Sequence, residues 1–222
     1  MPPSSIMVPR VKVCCIRSHE EASLAVRLGA SALGLVTEMP SGPGVIADEV
    51  ARDIASRVPP PIASFLLTSR QSAATIAEHQ RYVRSSTVQI VDRLTHGTYA
   101  ELREALPGIA LVQVIHVQGE ESVEEALMVA PDVDAILLDS GNQGLAVKEL
   151  GGTGRTHDWT LSRKIVEQVN KPVFLAGGLR PENVRRAIGE VGPFGLDVCS
   201  GVRTDGALDA AKLGAFFEQI HA

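Results

Sequence analysis

Eight short apolar runs alternate with amphipathic stretches along the chain, and this alternation restricts the possible folds more than any other feature. The runs are Val11–Ile16, Ala32–Thr37, Ile62–Leu67, Thr87–Val91, Leu111–Val117, Asp134–Asp139, Pro172–Gly177 and Gly195–Ser200. Strands that are apolar on both faces and separated by helices pair in parallel. Eight such units in 222 residues predict an α/β protein with a single-domain (β/α)8 TIM barrel spanning residues 1–222. A doubly wound open sheet is the alternative, and residues 1–10 are predicted to be a flexible N-terminal tail.

Helical spacing and end signals mark six of the intervening stretches. They are residues 19–29, 47–58, 122–130, 158–169, 181–191 and 207–220. Gly29 is predicted to cap the first helix at its C-terminus, because glycine adopts the left-handed conformation there without strain. Asp158 is predicted as an N-cap and Pro181 as a first helical residue.

Composition and charge exclude several function classes. The chain has 21 basic against 26 acidic residues, and it has no basic stripe with interleaved aromatic residues, so no nucleic-acid partner is expected. Apolar runs are shorter than the roughly 18 residues of a membrane span, and the N-terminus lacks the pattern of a signal peptide. Three cysteines, two of them adjacent, do not indicate a disulfide framework. These features predict a cytoplasmic protein that does not associate with a membrane.

Three glycine-bearing loops are expected at one rim of the barrel. They contain Gly152, Thr153 and Gly154; Gly177 and Gly178; and Ser200 and Gly201. A glycine-rich loop alone is often a simple connector. In a TIM barrel, however, chemistry lies at the C-terminal ends of the strands, and phosphate sites commonly follow strands seven and eight. Glycine also lets backbone N–H groups approach an anion closely. The three loops together therefore predict a phosphate-binding cradle.

These segments resemble the phosphoribosylanthranilate isomerase family over the whole chain. The family has a lysine-bearing first strand ending Cys-Gly, an acidic end to strand six, and a Gly-Gly-Thr-Gly loop followed by Asp-Trp. It also has Ala-Gly-Gly-Leu with Pro-Glu-Asn-Val, and a strand end Asp-Val-Ser-Ser-Gly-Val. The corresponding segments of this chain, in the same order, are VKVCC, LLDS, GGTGRTHDW, LAGGLRPENV and DVCSGV.

The resemblance implies an Amadori rearrangement in tryptophan biosynthesis, with a sugar-phosphate substrate and no cofactor. It assigns the general base to Cys14 and the general acid to Asp139, and it makes Lys12 and Asp197 substrate-binding candidates. Adjacent strand residues point to opposite faces, so one of Cys14 and Cys15 is expected to face the barrel interior and the other the helices. No metal site is expected, because no two histidines have metal-ligand spacing with a carboxylate. The protein is expected to be a monomer or homodimer.

The match to the family breaks where the substrate's aromatic group would bind. The family's glycine after the catalytic cysteine is Cys15 here. Gly44 stands where the family has an arginine for the anthranilate carboxylate, and Val91 and Asp92 stand where it has His-Gly. Other cations, Arg17, Arg70 or Arg93, are alternatives for binding this carboxylate.

Two further functions therefore remain open from the sequence. One is an isomerase or epimerase of another sugar phosphate, and the other is a non-catalytic barrel that binds a phosphate ligand. The presence of both Cys14 and Asp139 favours an enzyme.

Overall fold

Eight parallel strands close into a barrel in the computed structural model, which describes residues 8–141, 148, 150 and 154–222. The strands are β1 (Arg10–Val13), β2 (Ala32–Val36), β3 (Ala63–Thr68), β4 (Thr87–Ile90), β5 (Ala110–His116), β6 (Ala135–Asp139), β7 (Val173–Leu175) and β8 (Gly195–Val198). They pair in sequence order, and β1 closes the barrel against β8. The predicted (β/α)8 TIM barrel is confirmed, and each of the eight strands begins within one residue of its predicted start.

Eight helices connect and cover the strands in the described part of the chain. They are α1 (His19–Leu28), α2 (Asp48–Ser56), α3 (Ala73–Val83), α4 (Tyr99–Ala105), α5 (Glu121–Val129), α6 (Trp159–Gln168), α7 (Val184–Val191) and α8 (Ala210–His221). Helices α3 and α4 were not among the six predicted stretches. The start of α4 nevertheless carries a readable signal, because Thr98 and Glu101 form a reciprocal capping box. No described helix is long and apolar enough to cross a membrane.

The predicted helix ends agree with the structure at two of three positions. Gly29 caps α1 with φ of 115°, and the Asp158 side chain accepts a hydrogen bond from the Thr160 N–H at the start of α6. Pro181 was wrongly predicted as a first helical residue, because α7 begins at Val184. The Asn183 side chain accepts from the Arg180 N–H and donates to the Gly178 carbonyl, which holds the intervening residues in a turn.

The N-terminal tail prediction covers residues that the structure describes only in part. Residues 1–7 lie outside the described residues, whereas Pro9 is buried and Arg10 is the first residue of β1.

Apolar side chains fill two layers, one on each side of the strands. Alternation along β2 shows the arrangement: Leu33 and Leu35 pack in the cluster beneath the helices, whereas Ala32 and Val36 belong to the cluster inside the barrel. Successive strand residues point to opposite faces, so this pattern is what a closed parallel sheet requires. The interior cluster reaches the carboxyl ends of the strands, where Val36, Leu67 and Val91 line a pocket together with polar side chains.

Candidate active site

One pocket opens at the carboxyl ends of the strands and encloses about 680 Å³, including space continuous with solvent. Seven of the predicted site residues line it: Cys14, Asp139, Gly154, Gly177, Gly178, Asp197 and Ser200. Gly152 and Thr153 lie outside the described residues. Strands β1, β6 and β8, which carry the reactive side chains, are far apart in sequence. Barrel closure therefore brings these groups to one mouth.

Lys12 and Asp197 form a buried ion pair at the base of this pocket. They are register partners on β1 and β8, and the Lys12 Nζ lies 2.9 Å from Asp197 Oδ1. Lys12 has no exposed surface. Burial by itself would lower the pKa of Lys12, but the negative charges of Asp197 and Cys14 outweigh it and hold the pKa above its usual value. The ammonium therefore stays charged inside the barrel.

The Cys14 thiol lies beside this ammonium. A Cβ added to Gly34 on β2 would meet Cys14 Sγ at 2.8 Å and Lys12 Nζ at 3.1 Å, so the bare glycine provides the room that both groups share. A hydrogen bond from the Cys15 thiol lowers the pKa of Cys14, and the Lys12 charge lowers it further, against the opposing effect of burial. A thiol with a lowered pKa is a better base near neutral pH, because more of it is ionised.

Cys14 and Cys15 do not face opposite sides as expected, because both line the pocket. Strand β1 ends at Val13, before either cysteine, and Cys15 adopts a left-handed backbone conformation with φ of 63°. This conformation breaks the strand alternation on which the expectation relied. The Arg203 guanidinium donates to the carbonyl oxygens of both cysteines and so fixes the turn.

Asp139 ends β6 and is buried to 8% exposure. Its Oδ1 accepts a hydrogen bond of 2.7 Å from the Ser140 N–H, which fixes the carboxyl orientation. Barrel closure therefore places this carboxyl in the same pocket as the Cys14 thiol.

The glycine loops converge at the same mouth. A Cβ on Gly154 would lie 3.6 Å from Ser200 Oγ, and a Cβ on Gly178 would lie 2.7 Å from the Arg155 carbonyl carbon. A Cβ on Gly201 would lie 1.9 Å from the Leu179 carbonyl oxygen, so this glycine permits backbone contact between the last two loops. The loops after β6, β7 and β8 therefore touch one another, as the phosphate-cradle hypothesis requires.

Two polar residues of the site were missed by sequence reasoning. Gln89 on β4 lines the pocket at 3% exposure, and its Oε1 has no hydrogen-bond partner among the described residues. His157 binds Ser162 Oγ through Nε2 at 2.6 Å, while its buried Nδ1 lacks a partner in the same set. Burial lowers the pKa of His157, and the negative charge of Asp139 opposes this shift. A polar residue inside the apolar run TVQIV was the available signal for Gln89.

The opposite end of the pocket is apolar. We call this the apolar end; its lining side chains are Val36, Met39, Pro43, Leu67 and Val91. Gly44 lies beside it with φ of 80°, and a Cβ there would come within 2.4 Å of the Cys15 Cβ. Cys15 thus occupies the space that the Cβ of any side chain at position 44 would need.

The three arginines considered for an aromatic carboxylate are engaged elsewhere. Arg17 donates to the Gly206 carbonyl, Arg70 donates to the Thr75 carbonyl, and Arg93 forms a two-point ion pair with Glu125. None of them is among the described residues that line the pocket.

A different cation, Lys148, lies at the rim of the apolar end. Its ammonium pairs with Asp92, and its carbonyl accepts a hydrogen bond from Ser41, which lines the pocket.

The fold and the pocket define a (β/α)8-barrel enzyme with its reactive groups at the carboxyl-terminal mouth, the end at which TIM-barrel enzymes bind substrates. The profile of the N-(5'-phosphoribosyl)anthranilate (PRA) isomerase family matches residues 11–219. The chain belongs to this family.

Individual relatives agree with the profile over nearly full length. An N-(5'-phosphoribosyl)anthranilate isomerase of Methanosarcina acetivorans is 34% identical over 98% of this chain and 95% of its own. The crystal structure of phosphoribosyl anthranilate isomerase from Thermotoga maritima superimposes with a TM-score of 0.80 at 31% identity, covering 96% of this chain and 98% of that one. Another such structure, in complex with reduced 1-(o-carboxyphenylamino)-1-deoxyribulose 5-phosphate, has a TM-score of 0.77 at 29% identity, with coverage of 96% and 98%.

Proposed function

We propose that this chain converts N-(5'-phosphoribosyl)anthranilate to 1-(o-carboxyphenylamino)-1-deoxyribulose 5-phosphate, with Cys14 as general base and Asp139 as general acid. The observation that carries the proposal is that both groups line one pocket with the converging glycine loops. Family membership supports the reaction, and a relative's structure holds a reduced form of the product. The reaction needs an acid, a base and a phosphate anchor, and the pocket offers a candidate for each.

The acid–base sequence follows from the chemistry of the substrate. Asp139 gives a proton to the furanose ring oxygen as the bond from that oxygen to C1 breaks, which leaves a protonated imine at C1. The Cys14 thiolate then removes the proton from C2, and the C–H electron pair neutralises the imine to give an enolamine. Tautomerisation of the enolamine yields the ketone. The hydrogen bond from Cys15 and the Lys12 ammonium both favour the thiolate form of Cys14.

Binding of the two ends of the substrate is assigned to different parts of the pocket. The phosphate is proposed to accept hydrogen bonds from backbone N–H groups of the three glycine loops. These are Gly152, Thr153 and Gly154 after β6, Gly177 and Gly178 after β7, and Ser200 and Gly201 after β8. The apolar end suits the aromatic ring. Asp197 and Gln89 are proposed to contact the ribose.

A direct assay tests the function. Purified protein is expected to convert phosphoribosylanthranilate, and the reaction is monitored as the loss of the substrate's fluorescence. Expression of this chain is expected to restore growth of a tryptophan auxotroph that lacks the isomerase. Turnover of a different phosphorylated sugar, with no turnover of phosphoribosylanthranilate, would favour the alternative substrate class. Binding of inorganic phosphate without any turnover would favour the non-catalytic barrel.

Replacing Gly178 by alanine is expected to raise KM about tenfold, the equivalent of ~1.4 kcal/mol of lost phosphate binding. The added Cβ would meet the Arg155 carbonyl carbon at 2.7 Å, and φ at this position is 61°, so the loops after β6 and β7 must separate. Steady-state kinetics and competition by inorganic phosphate measure the effect.

Gly189→Ala is the matched control for Gly178→Ala. Gly189 lies in α7, and a Cβ there meets nothing within 4 Å, so this change should leave KM alone. Equal KM values for Gly178→Ala and wild type would show that the loop after β7 does not contribute to phosphate binding.

Placing arginine at position 44, where the family has it, is expected to destabilise the protein, and changing Cys15 too should relieve part of that loss. The new Cβ would lie 2.4 Å from the Cys15 Cβ, and overpacking of this kind costs roughly 1–3 kcal/mol. Cys15→Gly removes the colliding atom and relieves the left-handed strain at position 15.

A double-mutant cycle on urea unfolding, with KM measured for each variant, checks this coupling. Cys15→Gly should recover part of the stability that Gly44→Arg loses, and the double variant should bind the substrate more tightly than Cys15→Gly alone. Additive unfolding free energies would show that the two positions do not compete for space.

A further inference from the structure

All three cysteines of the chain lie around the active-site pocket. Cys14 and Cys15 follow β1, and Cys199 follows β8, the neighbouring strand. Val13 and Val198, which directly precede Cys14 and Cys199, are register partners, and the Cys14 N–H donates to the Val198 carbonyl at 2.8 Å, so the three cysteines are neighbours at the pocket. Hydrogen bonding with Cys14 and Cys199 raises the pKa of Cys15. Cys14 and Cys15 are buried, whereas Cys199 is partly exposed.

The Cys15 and Cys199 thiols take no part in the acid–base steps of the proposed isomerisation. The family motifs carry glycine at the position of Cys15 and serine at that of Cys199, and the acid–base sequence above uses neither. Cys15 moreover holds a left-handed conformation with φ of 63°, which is unfavourable for a residue with a side chain. Two cysteines that line one pocket from neighbouring segments, one of them in a left-handed conformation, indicate a function that the motif alone does not supply.

That function follows from the reactivity of Cys14. Lys12 and Cys15 favour its thiolate, and the pocket opens to solvent beside it. Thiolates react with hydroperoxides to give sulfenic acid, and further oxidation to sulfinic acid is irreversible in most proteins. A catalytic thiolate in an open pocket can therefore be oxidised irreversibly, and the enzyme then loses its base.

We propose that Cys15 and Cys199 form an oxidisable pair that returns Cys14 to its thiolate after attack by a small hydroperoxide. The role of Cys14 as base rests on the proposed function, whereas the sulfur chemistry does not.

The proposed reaction has three steps, and each is balanced. The Cys14 thiolate attacks one peroxide oxygen, which breaks the O–O bond and gives a sulfenic acid and hydroxide; the hydroxide takes up a proton to become water. The Cys15 thiol then attacks the Cys14 sulfur and expels the sulfenic oxygen as a second water, which forms a Cys14–Cys15 disulfide. Finally the Cys199 thiol, losing its proton to solvent, attacks the Cys15 sulfur and releases the Cys14 thiolate.

The last step has a clear direction. A thiolate with a lower pKa leaves faster in thiol–disulfide exchange, and Cys14 is the thiol whose ionised form Lys12 stabilises. The adjacent pair is also joined in a small, strained ring, whereas Cys15 and Cys199 lie on separate segments. Overall, peroxide gains two electrons, and Cys15 and Cys199 lose them.

Peptide mapping tests the proposal without relying on turnover. Wild-type protein is treated with one equivalent of hydrogen peroxide, alkylated, digested and analysed by mass spectrometry. We expect a Cys15–Cys199 disulfide, lacking the two thiol hydrogens, with Cys14 still alkylatable, and we expect dithiothreitol to restore the starting activity.

The Cys199→Ser variant separates this mechanism from simple oxidation. Without the final exchange, Cys14 should stay in a disulfide with Cys15, and in the double variant Cys15→Ser and Cys199→Ser it should accumulate as sulfinic acid. Activity of the double variant, compared with its own untreated value, should then be lost and not recovered by dithiothreitol. Equal, irreversible loss in the wild type and the double variant, or no Cys15–Cys199 disulfide in the wild type, would overturn the proposal.

Discussion

Replacing Cys14 by serine is expected to lower kcat by about 10²-fold or more, the range in which general acid–base catalysis contributes. A serine hydroxyl is not ionised at neutral pH, so Lys12 has no thiolate to stabilise and the C2 proton has no base. The change removes little volume, and the variant should unfold at nearly the same urea concentration as the wild type. Steady-state kinetics with phosphoribosylanthranilate gives the measurement.

Cys15→Ser is the matched control, because both cysteines line the pocket. Its hydroxyl can still donate a hydrogen bond to the Cys14 thiolate, so the loss of kcat should be much smaller.

Since the pKa of Cys14 lies below its usual value, wild-type activity should persist towards acid pH and fall only as the thiolate becomes protonated. If Cys14→Ser kept near-full turnover and Cys15→Ser lost activity, Cys15 and not Cys14 would be the base.

Replacing Asp139 by asparagine is expected to lower kcat by a similar factor, about 10²-fold or more. The amide has nearly the shape of the carboxyl and can still accept from the Ser140 N–H, but it cannot protonate the furanose ring oxygen. Substrate binding, read as KM, should change little, because the proton transfer contributes in the transition state.

Ser140→Ala provides the comparison for Asp139→Asn. It removes a long contact of 3.5 Å from the Ser140 hydroxyl to Asp139 and leaves the backbone hydrogen bond in place, so it should cost far less activity. Full activity in Asp139→Asn would show that another group protonates the ring oxygen, and His157 would then be the first residue to examine.

Much of the barrel was predictable because its pattern is local. Each apolar run reports a strand buried on both faces, and the alternation with helices leaves few arrangements other than a parallel barrel. Helix α3 escaped prediction, because its apolar face is interrupted by the polar residues His79 and Gln80, which are buried in the structure.

The sequence by itself also predicted that the glycine loops and Asp139 lie at one rim, because motif order in a barrel fixes which rim a strand end occupies. The resemblance to the family added Cys14, Lys12 and Asp197. Only the tertiary structure decided how these residues meet. The ion pair of Lys12 with Asp197 depends on the register between the first and last strands, which are separated by 185 positions. The collision of a side chain at Gly44 with Cys15, and the turn that brings both Cys14 and Cys15 into the pocket, depend on backbone angles. Strand alternation could not reveal that turn, because β1 ends one residue before Cys14.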